Sequence, residues 1–248
     1  MERTKGLIIK QSDYGEGNRM LTVFTEDFGI IKAAAYGVKS AKGRRSAASQ
    51  FLSWADFMLY FGRGDVATVN SVTSIESFFP IQEDLEKLAL SSYLADITYY
   101  AQEMNLPNLP LLRLLLNTLY ACAYNNVPIL KAKAVYELRL AADMGYMPIV
   151  AACSACRERK EPRYFSNECG GVICRDCHSP LRDDIPLSKE AYAAMGYILY
   201  AEDKKIFSFN ISEKALGEVG KISESYILYR LERNFASLDY LKKLLAQQ

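Results

Sequence analysis

Histidine is almost missing from this chain of 248 residues, with His178 the single example. A Ser/His/Asp or Cys/His constellation therefore has little to draw on. No Gly-x-x-x-x-Gly-Lys phosphate loop occurs, and no glycine-rich dinucleotide fingerprint follows a predicted strand. The carboxylates Asp183-Asp184 stand beside a proline-marked link and read as solvated, so an enzyme is not expected. Surplus charge is missing too. The net charge is +1, and any surface for a polyanion has to be local. The longest uncharged stretch, Leu114 to Leu130, is broken by Asn117, Asn125, Asn126 and Pro128, so no membrane span is expected. Near the N-terminus, Leu7-Ile8-Ile9 is too short an apolar run for a secretion signal.

What the chain does have is cysteine in a pattern. Cys153-Ser-Ala-Cys156 is answered, after seventeen intervening residues, by Cys174-Arg-Asp-Cys177. Two Cys-x-x-Cys knuckles at this separation are the spacing of a four-cysteine zinc site. Four protein ligands leave no open position, which makes such an ion structural, one per chain. A pair of disulfides is the competing reading, disfavoured in a reducing cytoplasm. Cys169 and His178 lie close enough to complicate the ligand set. Cys169 reads as a small turn residue, His178 as exposed just past the knuckle, and Cys122, in an apolar helical run, as a core thiol.

Residues 1 to about 80 read as strands: Leu7–Lys10, Met20–Thr25, Ile30–Tyr36, Gln50–Phe61 and Val66–Ile75, with glycine-rich breaks between them. Five short strands suit a closed barrel. An OB-fold is preferred and an SH3-like barrel is also compatible. Trp54 and Phe57 are assigned to its core. Past Pro80 the pattern turns helical, over Asp84–Met104, Leu109–Tyr124 and Ile129–Met144, with Pro107, Pro110, Pro128 and Pro148 marking the connections. The cysteine module, 151–182, interrupts this region. Ser188 and Ser212 then offer caps for helices to about Ala201 and Arg233, Lys204–Asn210 reads as partly extended, and Ser237 offers a cap for a short last helix. The fold class expected is α+β: a five-stranded OB-fold-like barrel (1–80), then an all-α domain (81–248) with an inserted four-cysteine zinc module.

Between the third and fourth strands, Gly37 to Ser49 carries Lys39, Lys42, Arg44 and Arg45 among small residues, and no acid occurs from Phe28 through Ala55. Such a segment has no apolar face to bury and is expected to stay solvated. A field of one sign on a barrel loop is also what a phosphate backbone needs. Lys10, Arg19 and Lys32 are further candidate phosphate contacts, and Tyr14 and Tyr36 candidate stacking residues. The cations Arg157, Arg159, Lys160 and Arg163 of the cysteine module rank second, because Glu158 and Glu161 dilute them.

Several motifs together resemble the RecO family of bacterial recombination mediators, across nearly the whole chain. These are Asp13-Tyr14-Gly15-Glu16, Arg19-Met-Leu-Thr22, Phe24-Thr25, Gly29, Gly37-Val-Lys39, and the module Cys153-x-x-Cys156, Phe165-Ser166, Gly170-Gly171, Cys174-x-x-Cys177. Cys169 is an extra thiol, and Gly17-Asn18 departs slightly from the pattern. The resemblance implies an OB-fold, a helical domain with structural zinc, and a cytoplasmic, nucleoid-associated DNA repair protein. It implies binding of single- and double-stranded DNA and annealing of complementary strands. It also implies action with RecR, and in some members RecF, to load RecA onto DNA coated by single-strand-binding protein. That coating protein's acidic C-terminal tail is expected to meet Arg230 and Arg233. The rival class is a protein-interaction adaptor with only incidental DNA contact.

Overall fold

The computed structural model describes residues 1–38 and 48–247. The chain forms two compact units, Met1–Ala123 with Ser237–Gln248, and Tyr124–Ala236.

The first unit begins with five strands: β1 (Glu2–Asp13), β2 (Arg19–Thr25), β3 (Gly29–Ala35), β4 (Trp54–Tyr60) and β5 (Val66–Glu76). They close in the order β1-β2-β3-β5-β4, the arrangement of an OB-fold-like barrel. Closure depends on β1, which pairs with β4 over Glu2–Leu7 and with β2 over Gly6–Asp13, with a register shift between Ile8 and Lys10. That bulge lets one strand bend to serve two neighbours. Alternation fills the interior: Ile8, Leu21, Val23, Ile31, Ala33, Phe57, Leu59 and Val69 are buried together. Each large apolar side chain so buried contributes about 2 kcal/mol. Phe57 is in this core as expected, whereas Trp54 is only partly buried. β3 and β5 run parallel, paired over Lys32–Ala34 and Val66–Thr68.

Pro80 does not simply end the barrel; it opens a short helix, α1 (Phe79–Gln82). There follow α2 (Leu85–Ala101) and α3 (Leu109–Tyr124). The Asp84 side chain caps α2 by accepting from the Glu86 and Lys87 backbone N–H groups at 3.0 and 3.1 Å. Cys122, on α3, is pushed up to about 12 by burial, the signature of an unreactive core thiol. The last helix, α7 (Ala236–Leu245), also belongs mainly to this unit. It already includes Ser237, which is therefore not its cap.

The second unit is built on α4 (Ile129–Asp143), α5 (Lys189–Tyr200) and α6 (Glu213–Leu231). Ser188 and Ser212 cap α5 and α6 as the sequence suggested, accepting from Ala191 N–H at 3.2 Å and Ala215 N–H at 3.3 Å. Between these helices Asp203–Lys205 forms a 3-10 turn that takes up the start of the Lys204–Asn210 link, and residues 208–210 carry no regular structure. α4 and α6 share a buried charge cluster, with Lys133 Nζ 2.9 Å from Glu137 and 2.8 Å from Glu224. Ser223 donates to Glu137 at 2.6 Å. Removing Lys133 would leave two carboxylates facing each other without a counter-charge, so the lysine ties α4 to α6. Inserted between α4 and α5 is a three-stranded sheet, in the order β7-β6-β8, from β6 (Pro162–Ser166), β7 (Gly171–Cys174) and β8 (Ile185–Pro186). Ile149 runs along the free side of β7, accepting from Val172 N–H at 2.9 Å and donating to Gly170 O at 3.0 Å. Only glycine fits at 171, because a Cβ there would stand 2.3 Å from Ile149 O.

Candidate metal centre and nucleic-acid interface

The two knuckles meet. Cys153, Cys156, Cys174 and Cys177 bring their Sγ atoms within 4.8 Å of one another, and none forms a disulfide. The first knuckle follows the Ile149 strand pairing, and the second opens where β7 ends. Cys174 N–H points at Cys153 Sγ from 3.4 Å. Burial alone would raise the Cys153 thiol, but the backbone N–H groups of Cys156, Cys174 and Ala155 bring it down to about 6. Cys177 is held up to about 12 by hydrogen bonds to the Cys174 and Cys156 thiols. A bound divalent metal deprotonates coordinating thiols outright, and four convergent sulfurs suit a tetrahedral ion. Cys169 packs against the quartet but is not among the four converging sulfurs.

His178 is not the exposed residue that its position suggested. Its ring stacks on Tyr164 with centroids 3.9 Å apart, and Nδ1 lies 3.0 Å from Asp184 Oδ2. Asp184 is a second correction, since its side chain is fully buried whereas Asp183 is exposed. Burial would raise its carboxyl, but Arg182, His178 and the Ser179 N–H hold it below the usual range. This pair ties the segment after the second knuckle to β6. Two of the module's four candidate cations are neutralised locally, while Arg157 and Arg159 are exposed and face no acid among the described residues. Lys160 stands 2.8 Å from Glu158 and 3.0 Å from Asp176, and Arg163 stands 2.8 Å from Glu161.

At the barrel, the ladder rows bring candidate DNA residues to one rim. Asp13 faces Arg19, which faces Ala35 on β3. Tyr14 and Tyr36 continue one residue beyond those partners. Their rings meet edge to face, centroids 6.3 Å apart, and they remain 44% and 49% exposed. Arg19 donates to Ser49 O at 3.3 Å, and no carboxylate pairs with it among the described residues. Lys32 points outward and exposed from the middle of β3. Lys10 is less available, with Nζ 3.0 Å from Asp96 and 4.2 Å above the Tyr99 ring. Lys39, Lys42, Arg44 and Arg45 lie outside the described residues.

One feature of this rim and one at the opposite end of the barrel escaped the sequence reading. Asn18 accepts the Tyr14 N–H on its backbone oxygen at 3.2 Å and the Gly37 N–H on Oδ1 at 2.9 Å. The run Ser12 to Asn18, rich in turn-forming residues, pointed to a turn there but not to the bond that the Asn18 side chain makes. At the β2–β3 turn, Phe28 and Phe61 pair with centroids 5.0 Å apart, an association of distant residues that no local pattern announces. Of the two tail-binding candidates, Arg230 is enclosed. Its guanidinium lies over the rings of Tyr226, Tyr146 and Tyr229 at 4.8, 5.3 and 5.3 Å, and it donates to Asn167 O at 3.1 Å. Arg233 is exposed, 5.8 Å from the Phe235 ring centroid.

A closed OB-like barrel with a half-exposed aromatic rim, followed by helices and four converging cysteines that could hold a metal ion, defines a class of two-part protein. Within that class the chain belongs to the RecO family. Residues 1–78 match the model for the N-terminal part of recombination protein O, and residues 82–239 match that for its C-terminal part. Curated relatives cover the same span. The DNA repair protein RecO of Acetivibrio thermocellus is 36% identical over 98% of this chain and 96% of its own length. That of Caldanaerobacter subterraneus is 28% identical over 98% of both chains. That of Alkaliphilus metalliredigens is 29% identical over 98% of this chain and 99% of its own.

Proposed function

We propose that this chain is a DNA repair protein that acts by binding, not by catalysis. It holds single- and double-stranded DNA, anneals complementary strands, and helps load recombinase onto DNA coated with single-strand-binding protein. The observation that carries this reading is the half-exposed Tyr14–Tyr36 pair, with Arg19 unpaired by any acid among the described residues, at the rim where the chain enters the acid-free segment 37–49. Rings stack on bases of any identity, and cations take phosphates without reading sequence. Strands gripped this way keep their Watson–Crick edges free, which is the condition for annealing. Lys39, Lys42, Arg44 and Arg45 supply most of the phosphate contacts, with Arg19 and Lys32 extending the path and Lys10 a lesser contributor.

The metal is one structural Zn2+ per chain, since an all-sulfur tetrahedral donor set selects it. Arg233 is the accessible anchor for the acidic tail of single-strand-binding protein. Arg230, committed to its tyrosines, shapes the surface. RecR is a partner, with RecF and RecA acting in the same loading step. Annealing of complementary oligonucleotides, alone and coated with single-strand-binding protein, tests the function. Acceleration in both cases is the expected result. No acceleration, with DNA affinity indifferent to salt, would favour the adaptor reading. Arg233→Glu should weaken binding of the tail peptide without lowering the melting temperature; unchanged affinity would remove Arg233 from the site.

A further inference from the structure

We propose that Asn18 is a positioning residue that sets the Tyr14–Tyr36 pair for stacking on unpaired bases. This rests on the reading that those tyrosines stack. Tyr14 lies in the β1–β2 connection and Tyr36 just past β3, so no single strand fixes both. Asn18 reaches each of them. Its backbone oxygen takes the Tyr14 N–H at 3.2 Å, and its side-chain Oδ1 takes the N–H of Gly37, the residue after Tyr36, at 2.9 Å. Gly37 sits at φ +67°, in the left-handed region, and glycine gives up more conformational freedom than any other residue when held in one state. The side-chain hydrogen bond makes that concession before DNA arrives, so the rings keep their mutual attitude, 6.3 Å apart at 63°, without ordering on binding.

Asn18 lies in an exposed turn and buries nothing of the barrel core. A purely structural residue would lower stability and all DNA binding together. A positioning residue lowers only what depends on the rings. Duplex DNA, whose bases are already stacked, is held through phosphates and does not use them.

The test uses the full-length, metal-loaded chain with a 2-aminopurine-labelled single strand and a duplex of the same sequence. Four proteins are compared: wild type, Tyr14→Ala/Tyr36→Ala, Asn18→Leu and Asn18→Asp. Asn18→Leu keeps size and loses the acceptor; Asn18→Asp keeps the acceptor. The fluorescence change at saturating protein reports stacking, so the added charge of Asn18→Asp drops out of it. We expect Asn18→Leu to lose most of that change and to bind the single strand roughly tenfold more weakly. Duplex affinity and melting temperature should stay at wild-type values, and Asn18→Asp should recover the stacking signal. A wild-type signal in Asn18→Leu, an equal loss for single strand and duplex, or no recovery in Asn18→Asp would overturn the inference. If the double tyrosine variant itself kept the signal, the stacking reading would be what failed.

Discussion

In the cysteine module each of three cations already faces an acid: Lys160 meets Glu158 and Asp176, Arg163 meets Glu161, and Arg182 meets Asp184. At the barrel rim Arg19 meets, among the described residues, the carbonyl of Ser49 and no acid, and the chain from Phe28 through Ala55 contains no acid. The module's aromatic is closed as well, since Tyr164 is stacked on His178, while the rim keeps two rings half open. Counting positive residues would rank the two regions alike. Pairing separates them only in part, since Arg157, Arg159 and Arg175 of the module are exposed and face no acid among the described residues. A phosphate arriving at Lys160 or Arg163 must displace a carboxylate already in place, whereas at Arg19 it displaces water and counterions. The module spends Lys160, Arg163 and Arg182 on holding itself together, and the rim leaves Arg19 and its two rings for a ligand.

The largest effect should come from breaking the self-contained region. Cys153→Ser should abolish metal retention and cost several kcal/mol of local stability, because metal binding and module folding are linked. Metal analysis and hydrogen exchange over 151–182 would show it. Cys169→Ser should retain the metal, and loss of metal there but not in Cys174→Ser would reverse the ligand assignment.

Next comes the open region. Replacing Lys39, Lys42, Arg44 and Arg45 by Ala should flatten the log–log salt dependence of single-strand binding by up to ~3 units, at about 0.7 per phosphate contact. An unchanged slope in a filter-binding titration would make the segment a spectator. Smaller again are the rings. Tyr14→Ala and Tyr36→Ala should each weaken single-strand binding by about 1–3 kcal/mol, with little change for duplex. Equal losses for both substrates in an anisotropy titration would argue against stacking. The smallest effect sharpens the contrast directly. Lys160→Ala should change the salt slope by less than ~0.2 units, since its charge is already balanced. A change near the full per-contact value would show that the module's ion pairs open for DNA.

The cysteine quartet was legible because its spacing is itself the geometry: each knuckle is local, and the chain has only to bring two together. The helix starts at Asp84, Ser188 and Ser212 were legible for the same reason, as a cap and its helix are neighbours in sequence. What was hidden depends on distant partners. Asp184 reads as solvated until Arg182 and His178 close on it. His178 reads as exposed until Tyr164 supplies a stacking face. Lys133 and Glu137 are an ordinary i,i+4 pair of one helix, and nothing in α4 shows that Glu224 of α6 joins them inside. The strands β6, β7 and β8 are too short for alternation to register. Ser237 misled because a serine before an apolar run is a cap only when the preceding residue is not already helical.

The seam between β3 and β5 has a consequence in time. Every other junction of the barrel is an antiparallel ladder, running over Gly6–Asp13, Arg19–Thr25, Glu2–Leu7 or Trp54–Tyr60. This one is parallel and spans only Lys32–Ala34 against Val66–Thr68, and parallel pairing is slightly weaker per residue. It also joins strands that are not consecutive, with β4 and the basic segment between them, so a loop-closure cost stands against only three residue pairs. The ring should therefore shut here last during folding and breathe here first in the native state. Amides of Val66–Thr68 should exchange with solvent well before those of Leu21–Val23, and Lys32 sits on the hinge of that motion.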